Sequence, residues 1–491
     1  MNLTTTAKDD LRVLIFSFFY CALLMLLISP DSYLHALFGR CDSAWFFSAG
    51  KAMMNGLIPY VDFADSKGPL LWLIYGIGYL ISPHDYTGVF WLSVLSYTFT
   101  LFFLYRAARC LHFSSMVALI GAALMTLAFF YYPIHFEVKT EDFACLFQAI
   151  SVWALCQLLS DKSLSCKKAM KLSAALGLCT SALVLMKFNL AFMQLSIVLC
   201  AAIIIAAHGK KNFAKSLFAY LVGFLLLFAP FAIYLLSIGA FDGFIAEYFV
   251  STSHLVSKVN DSWGFQLLLQ EAMGNKFVAL YLLLLCAGVV AACVKLGRLW
   301  WMPLLVSAGF IIVVARGYYC LYHLTALSIL LFPLMLWLAS GICRISKKHW
   351  LMCVVIVMIF VAACVINYPG IKATFLPTRD LLTEQDYNNA CSQVAKNDNT
   401  KILYFNTGDY GLGTPGDALP ACKYWARQNG AGVTVINAQK LAIKRHLPTA
   451  VVVDLNEPQD NVQQFLLQCG YNLVDTVEPT TDARLLIYEI K

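Results

Sequence analysis

Long blocks of apolar residues constrain this chain more than any other feature. Runs such as Leu11–Ser29, Met116–Phe130, Leu217–Leu236 and Phe277–Val294 approach the ~20 residues that a helix needs to cross hydrocarbon. A chain built of such blocks has too little polar surface to face water as a soluble domain. Of its 491 residues 60% are hydrophobic and 13% charged, where soluble domains hold about 45–50% and about 25%. The first run is long, leads into a polar loop and carries no small-residue cleavage site, so it reads as a retained span and not as a removed signal peptide.

Apolar stretches lie at about 11–29, 69–82, 88–105, 116–133, 143–160, 169–186, 190–207, 216–238, 276–294, 300–315, 324–341 and 350–367. The second is short and opens on Pro69, which fits an interfacial or re-entrant helix. Basic residues arbitrate, because cytoplasmic loops carry an excess of Lys and Arg. With 69–82 left out and the N-terminus cytoplasmic, one side carries sixteen cations in short loops and the other eight over more residues. Counting 69–82 as a span would invert every later loop. The expectation is eleven spans and an extracytoplasmic tail. The net charge of +7 is then a matter of topology and not a sign of nucleic acid.

The tail regains charge and alternates short β-branched or aromatic runs (Lys401–Phe405, Val433–Ile436, Ala450–Val453, Leu485–Tyr488) with helical patterns (Glu384–Lys396, Pro458–Cys469). Strands separated by helices predict a small α/β domain. The expected division is a membrane domain over 1–368, with a first outer loop at 31–87, followed by an α/β domain over 369–491. Most of the seventeen cysteines sit in apolar runs as small hydrophobes, and none forms a C-x-x-C pair. An extracytoplasmic tail would admit a Cys391–Cys422 disulfide.

Four polar clusters share the outer face in this topology. Asp42 opens an amphipathic stretch that ends at Asn55-Gly56; it reads as a functional carboxylate or as a helix N-cap. Glu141 and Asp142, with Glu137 nearby, begin another helix, either as complements to its dipole or as ligands for a metal or substrate. Lys187 interrupts two apolar runs, as a snorkelling lysine or an anion site. Arg316, Tyr318, Tyr319, Tyr322 and His323 form an aromatic belt with one arginine, or a phosphate site. Taken together, separated carboxylates and separated cations can move a group from a phosphate ester to a hydroxyl.

The first loop, with D-S-A-W-F-F at 42–47, G-L-I-P-Y-V-D-F at 56–63 and D-S-K-G-P-L-L at 65–71, resembles that of bacterial GT-C glycosyltransferases. The nearest groups are the dolichyl-phosphate-mannose-protein mannosyltransferase-like and aminoarabinose-transferase-like enzymes. T-E-D-F at 140–143, M-K-F-N-L at 186–190 and Y-C-L-Y-H at 319–323 resemble their later outer junctions. The resemblance spans about residues 11–367 and implies a GT-C-like α-helical polytopic membrane protein of the bacterial inner (plasma) membrane. It implies inverting transfer of a hexosyl or pentosyl group from a polyprenyl-phosphate donor to a glycolipid, polysaccharide or protein acceptor. By the same resemblance Asp42 is the base and Glu141 assists the acceptor or a metal. Lys67, Arg316 and Lys187 hold the donor phosphate, while Asp62, Asp65, Asp142, Tyr319, Tyr322 and His323 line the substrate. No cofactor is required by it, although a divalent metal on Asp42 and Glu141 is admitted. The chain departs from both groups: Asp42-Ser43 replaces an Asp-Glu pair, and Gly68 stands where the aminoarabinose group has proline.

Two other functions compete. A flippase or transporter of a lipid-linked sugar would place ionisable residues at mid-membrane in related halves, and neither feature is present in the sequence. A polysaccharide polymerase or ligase would lean on arginine, which Arg316 allows and the acidic first loop opposes. No Gly-rich nucleotide loop is present, which excludes the usual signature of a nucleotide-sugar donor.

Overall fold

The computed structural model describes residues 5–29, 31–34, 41–131, 139–251, 264–316, 323–345, 349–367, 390–394, 399–427, 432–454, 461–480 and 483–490. Among them, eight helices are long and apolar enough to cross a membrane, and each coincides with an expected span. They include α1 (Thr5–Ile28), α4 (Thr87–Cys110), α7 (Thr140–Ser160), α8 (Cys166–Met186), α9 (Leu190–Ala207) and α10 (Lys210–Ser237), with later ones at 276–299 and 324–345. The other three expected spans are helices too, shorter than most of these: α5 and α6 (Ser115–Leu124 and Thr126–Phe129), Trp301–Arg316 and His349–Ile366. Large side chains such as Phe19, Leu226, Leu283 and Val365 are left exposed on these helices. In water that would be costly; it suits helices whose solvent is lipid, where backbone groups are satisfied internally and side chains need no polar cover.

Two helices outside this set shape one end of the bundle. α2 (Cys41–Met54) begins and ends where its amphipathic pattern predicts. α3 (Pro69–Ile81) has 13 residues, about 20 Å at 1.5 Å per residue, too short for a hydrocarbon core of about 30 Å. Pro69 stands in its first turn, where the missing N–H is harmless. The two helices pack together through Phe46 on Tyr75, with ring centroids 5.5 Å apart. Gly50 and Gly76 touch so closely that a Cβ on Gly50 would lie 2.5 Å from the Gly76 nitrogen.

The C-terminal region forms a five-stranded sheet in the order β2-β1-β3-β5-β4. Here β1 is Lys401–Phe405, β2 Leu419–Pro420, β3 Ala450–Asp454, β4 Tyr471–Thr480 and β5 Ala483–Ile490. β2, β1 and β3 run parallel, while β5 and β4 are antiparallel additions. The run Val433–Ile436 is helical, within Gly432–Lys444, where the sequence predicts a strand. Val435, Gln439, Ala442 and Ile443 are buried there at helical spacing, so tertiary burial overrides a β-branched run. Cys391 and Cys422 are not joined in a disulfide. One face of the sheet, through Ile402, Tyr404 and Val452, shares a hydrophobic core with Tyr60, Phe63 and Trp72 of the 31–87 segment and with Phe244 and Tyr248. The α/β region and the first loop are therefore packed as one body on one face of the helix bundle.

Candidate active site

The first loop folds because two turns and one glycine set its path. Asp62 is exposed, and its Oδ2 accepts the Ile58 N–H at 2.7 Å, so it closes its own turn. Tyr60 donates its hydroxyl to the Lys67 carbonyl at 2.9 Å, and burial pushes its pKa up. Gly68 then meets the end of α8: its N–H donates to Met186 O at 2.9 Å. A Cβ at this position would lie 2.0 Å from Leu185 O. Only glycine permits that approach, which accounts for Gly68 where the resembling group has proline.

That contact brings Lys67 beside the α8–α9 junction. Its ammonium lies 3.8 Å from Asp65 Oδ2 and 5.3 Å from the Phe46 ring centroid, one helical turn beyond Asp42 on α2. Asp65 is buried, and its Oδ1 accepts the Ser66 N–H at 2.6 Å. Lys187, in the three-residue break between α8 and α9, donates to Glu141 Oε1 at 2.6 Å. The Glu141 side chain is 2% exposed and that of Lys187 12%. Burial lowers the Lys187 pKa and the neighbouring Lys67 charge adds to that, while Glu141 and Asp42 pull it back up. Asp42, in the first turn of α2 and half-buried, is thus within electrostatic reach of the same ammonium. The fold has brought Asp42, Lys67, Glu141 and Lys187 together from three separate stretches of chain.

Two other carboxylates make local contacts in this fold. Asp142, expected on the substrate, closes the start of α7: Oδ2 accepts the Lys139 N–H at 2.6 Å and Oδ1 accepts the Tyr97 hydroxyl. Adjacent residues on a helix point about 100° apart, so Glu141 turns to Lys187 while Asp142 turns to α4. Asp62, also expected on the substrate, holds its own turn through one oxygen and is otherwise exposed. Arg316 ends the helix Trp301–Arg316 and His323 begins the next. The side chains of Arg316 and His323, and Tyr319 and Tyr322 altogether, lie outside the described residues, as does Glu137.

Metal coordination by Asp42 and Glu141 is a poor fit. Glu141 already faces an ammonium, and among the described residues no group of three His, Cys, Asp or Glu side chains converges on one point. Two polar atoms near the cluster escaped the sequence reading: the Trp45 indole N–H and Asn189 Oδ1 are buried with no hydrogen-bond partner among the described residues. Each stands two or three positions from a cluster residue, Asp42 or Lys187, which is the one signal that could have found them.

Comparison with known proteins gives a consistent picture. Residues 66–234 match the dolichyl-phosphate-mannose-protein mannosyltransferase family model. ArnT from Cupriavidus metallidurans in the apo state superposes over 96% of this chain and 97% of that one, with a TM-score of 0.59 at 14% identity. The same protein bound to undecaprenyl phosphate gives 0.52 at 14% identity over the same shares. Arabinofuranosyltransferase AftD from Mycobacteria gives 0.52 at 13% identity, over 98% of this chain and 40% of that one. No curated protein sequence matches significantly. In fold this chain is similar to these glycosyltransferases, and the family model matches about a third of it, residues 66–234.

Proposed function

We propose that the protein moves a sugar from a polyprenyl-phosphate donor to a hydroxyl acceptor, with inversion, on the extracytoplasmic face of the membrane. The observation that carries this reading is the pair of ammonium groups, Lys67 against Asp65 and Lys187 against Glu141, with Asp42 within electrostatic reach of Lys187 at the ends of α7 and α8. Cations at that depth are expensive to hold next to hydrocarbon and are commonly functional. A phosphate arriving from the bilayer would meet two of them at once. The likeness in fold to a protein that binds undecaprenyl phosphate supports the same assignment, and the cation count in the loops supports the face.

Asp42 then accepts the proton of the acceptor hydroxyl as its oxygen attacks the anomeric carbon. The new C–O bond forms on the face opposite the leaving group. The electron pair of the breaking bond goes to the phosphate oxygen, where Lys67 and Lys187 offset the developing charge. A phosphate leaving group needs no proton, so one base is enough. Glu141 acts through Lys187, holding its ammonium charged and aimed. Arg316 is a third cation for the phosphate under the same reading.

The test is a reconstituted reaction: the purified protein in proteoliposomes, a polyprenyl-phosphate sugar, and candidate glycolipid, polysaccharide and protein acceptors. A new glycosidic product of inverted anomeric configuration is the expected result. Net movement of the lipid-linked sugar across the bilayer without such a product would favour a transporter and overturn the proposal.

A further inference from the structure

Lys51 is a cation that the reaction above does not use. It sits on α2, nine residues beyond Asp42, and is only 1% exposed. Its Nζ donates to Gly413 O at 3.0 Å and to Gly416 O, both in the G-L-G-T-P-G-D connection at 411–417 between β1 and β2. It also lies 5.9 Å from the Tyr79 ring centroid. Burial lowers its pKa to about 8, and Asp417 and Asp409 act in the other direction.

Further contacts cross the same boundary. Tyr86 and Thr414 share a hydroxyl hydrogen bond of 3.2 Å. Ala64 N–H donates to Lys423 O at 2.9 Å. Trp45 packs on Trp425 with centroids 5.3 Å apart. Lys423 pairs with Glu247 at 2.6 Å, and Tyr424 donates to the same carboxylate at 2.9 Å. The first three join the α/β domain to the first loop and its helices, and the last two join it to the 245–251 segment.

A buried ammonium is a costly way to join two surfaces, since an apolar side chain of similar length would avoid desolvating a charge. What the ammonium adds is direction: it meets two carbonyl oxygens at fixed points on one loop. α2 is a rigid element, so holding its second half also fixes the first turn, about 13 Å away along the axis.

We propose that Lys51 is a positioning residue for the transfer, a latch through which the α/β domain clamps α2 and so holds Asp42 within reach of Lys187. This rests on the reading of Asp42 as the base. On it, the α/β domain is part of the machinery, whatever it adds to acceptor choice.

The experiment uses the full-length protein in lipid nanodiscs and compares wild type with Lys51→Met. The readouts are kcat, donor KM, and hydrogen–deuterium exchange of residues 41–54 and 411–417. The expected result is a fall in kcat of about tenfold or more, donor KM within about threefold, and faster exchange in both segments with α7 and α8 unchanged. Tyr86→Phe, which removes only the neighbouring hydroxyl contact, should move kcat and exchange in the same direction by less, and it carries the test should Lys51→Met fail to fold. Unchanged exchange in both segments, or wild-type kcat despite faster exchange, overturns the proposal. The exchange readout is independent of the chemistry, so an active Asp42→Asn variant would sink the assignment of the base while leaving the docking by Lys51 to be decided separately.

Discussion

Breaking the Glu141–Lys187 pair tests the site's electrostatics most sharply. At 2.6 Å and an effective dielectric of about 20, the mutual attraction is about 6 kcal/mol before desolvation. Removing one partner of a buried pair leaves an uncompensated charge and costs about 3–5 kcal/mol. Glu141→Gln and Lys187→Met should each destabilise by that order in equilibrium unfolding from mixed micelles. The double variant leaves no orphaned charge and should cost less than the sum, with a coupling of about 2 kcal/mol or more. The pair also predicts a pH effect. Burial already lowers the Lys187 pKa and Glu141 raises it, so Glu141→Gln should lower it further. The pH above which donor KM worsens should then move down in that variant, because the phosphate loses a cation sooner. Additive destabilisation, together with an unmoved alkaline limb, would refute the reasoning.

Other outcomes follow from single contacts. Lys67→Gln removes one charge-assisted contact to the phosphate and should weaken binding of polyprenyl phosphate about 10- to 100-fold, measured by titration in nanodiscs. Gly68→Ala would put a methyl 2.0 Å from Leu185 O; it should displace Lys67 and abolish transfer, read as lost turnover with the protein still inserted. Tyr97→Phe removes a donor to the Asp142 carboxylate and should cost about 1.5–3 kcal/mol in unfolding while leaving donor KM unchanged. Lys51 has a native pKa of about 8 against an ordinary 10.5. Between those values the native state binds fewer protons than the unfolded one, so stability should rise with pH, by up to about 3 kcal/mol. Lys51→Met should remove that rise in a pH series of unfolding curves.

The membrane helices were legible because hydrocarbon imposes a length and excludes charge, and both demands are written in consecutive residues. Pro69–Ile81 was legible through its length and the charge of later loops. The site was legible only in part. Asp42, Glu141 and Lys187 could be named because charge near an apolar run is unusual, and Lys67 through the resemblance of its motif, yet nothing in their spacing said that Lys187 would meet Glu141. Glu141 and Asp142 are neighbours in sequence and part company only because a helix turns about 100° per residue. Lys51 looked like an ordinary outer-loop cation, since its partners are backbone carbonyls more than 350 residues away. Backbone groups leave no trace in a sequence. The strand misassigned at 433–436 failed for the related reason that which face is buried depends on what packs against it.

The central claim is that Asp42 is the base of a transfer from lipid-linked sugar, and one measurement reaches it directly. Asp42→Asn, of the same shape and unable to take a proton at neutral pH, should be assayed for single-turnover transfer and for polyprenyl-phosphate binding in the same nanodiscs. Transfer should fall about 10²- to 10⁴-fold, with binding within about threefold of wild type. Transfer at close to the wild-type rate would contradict it.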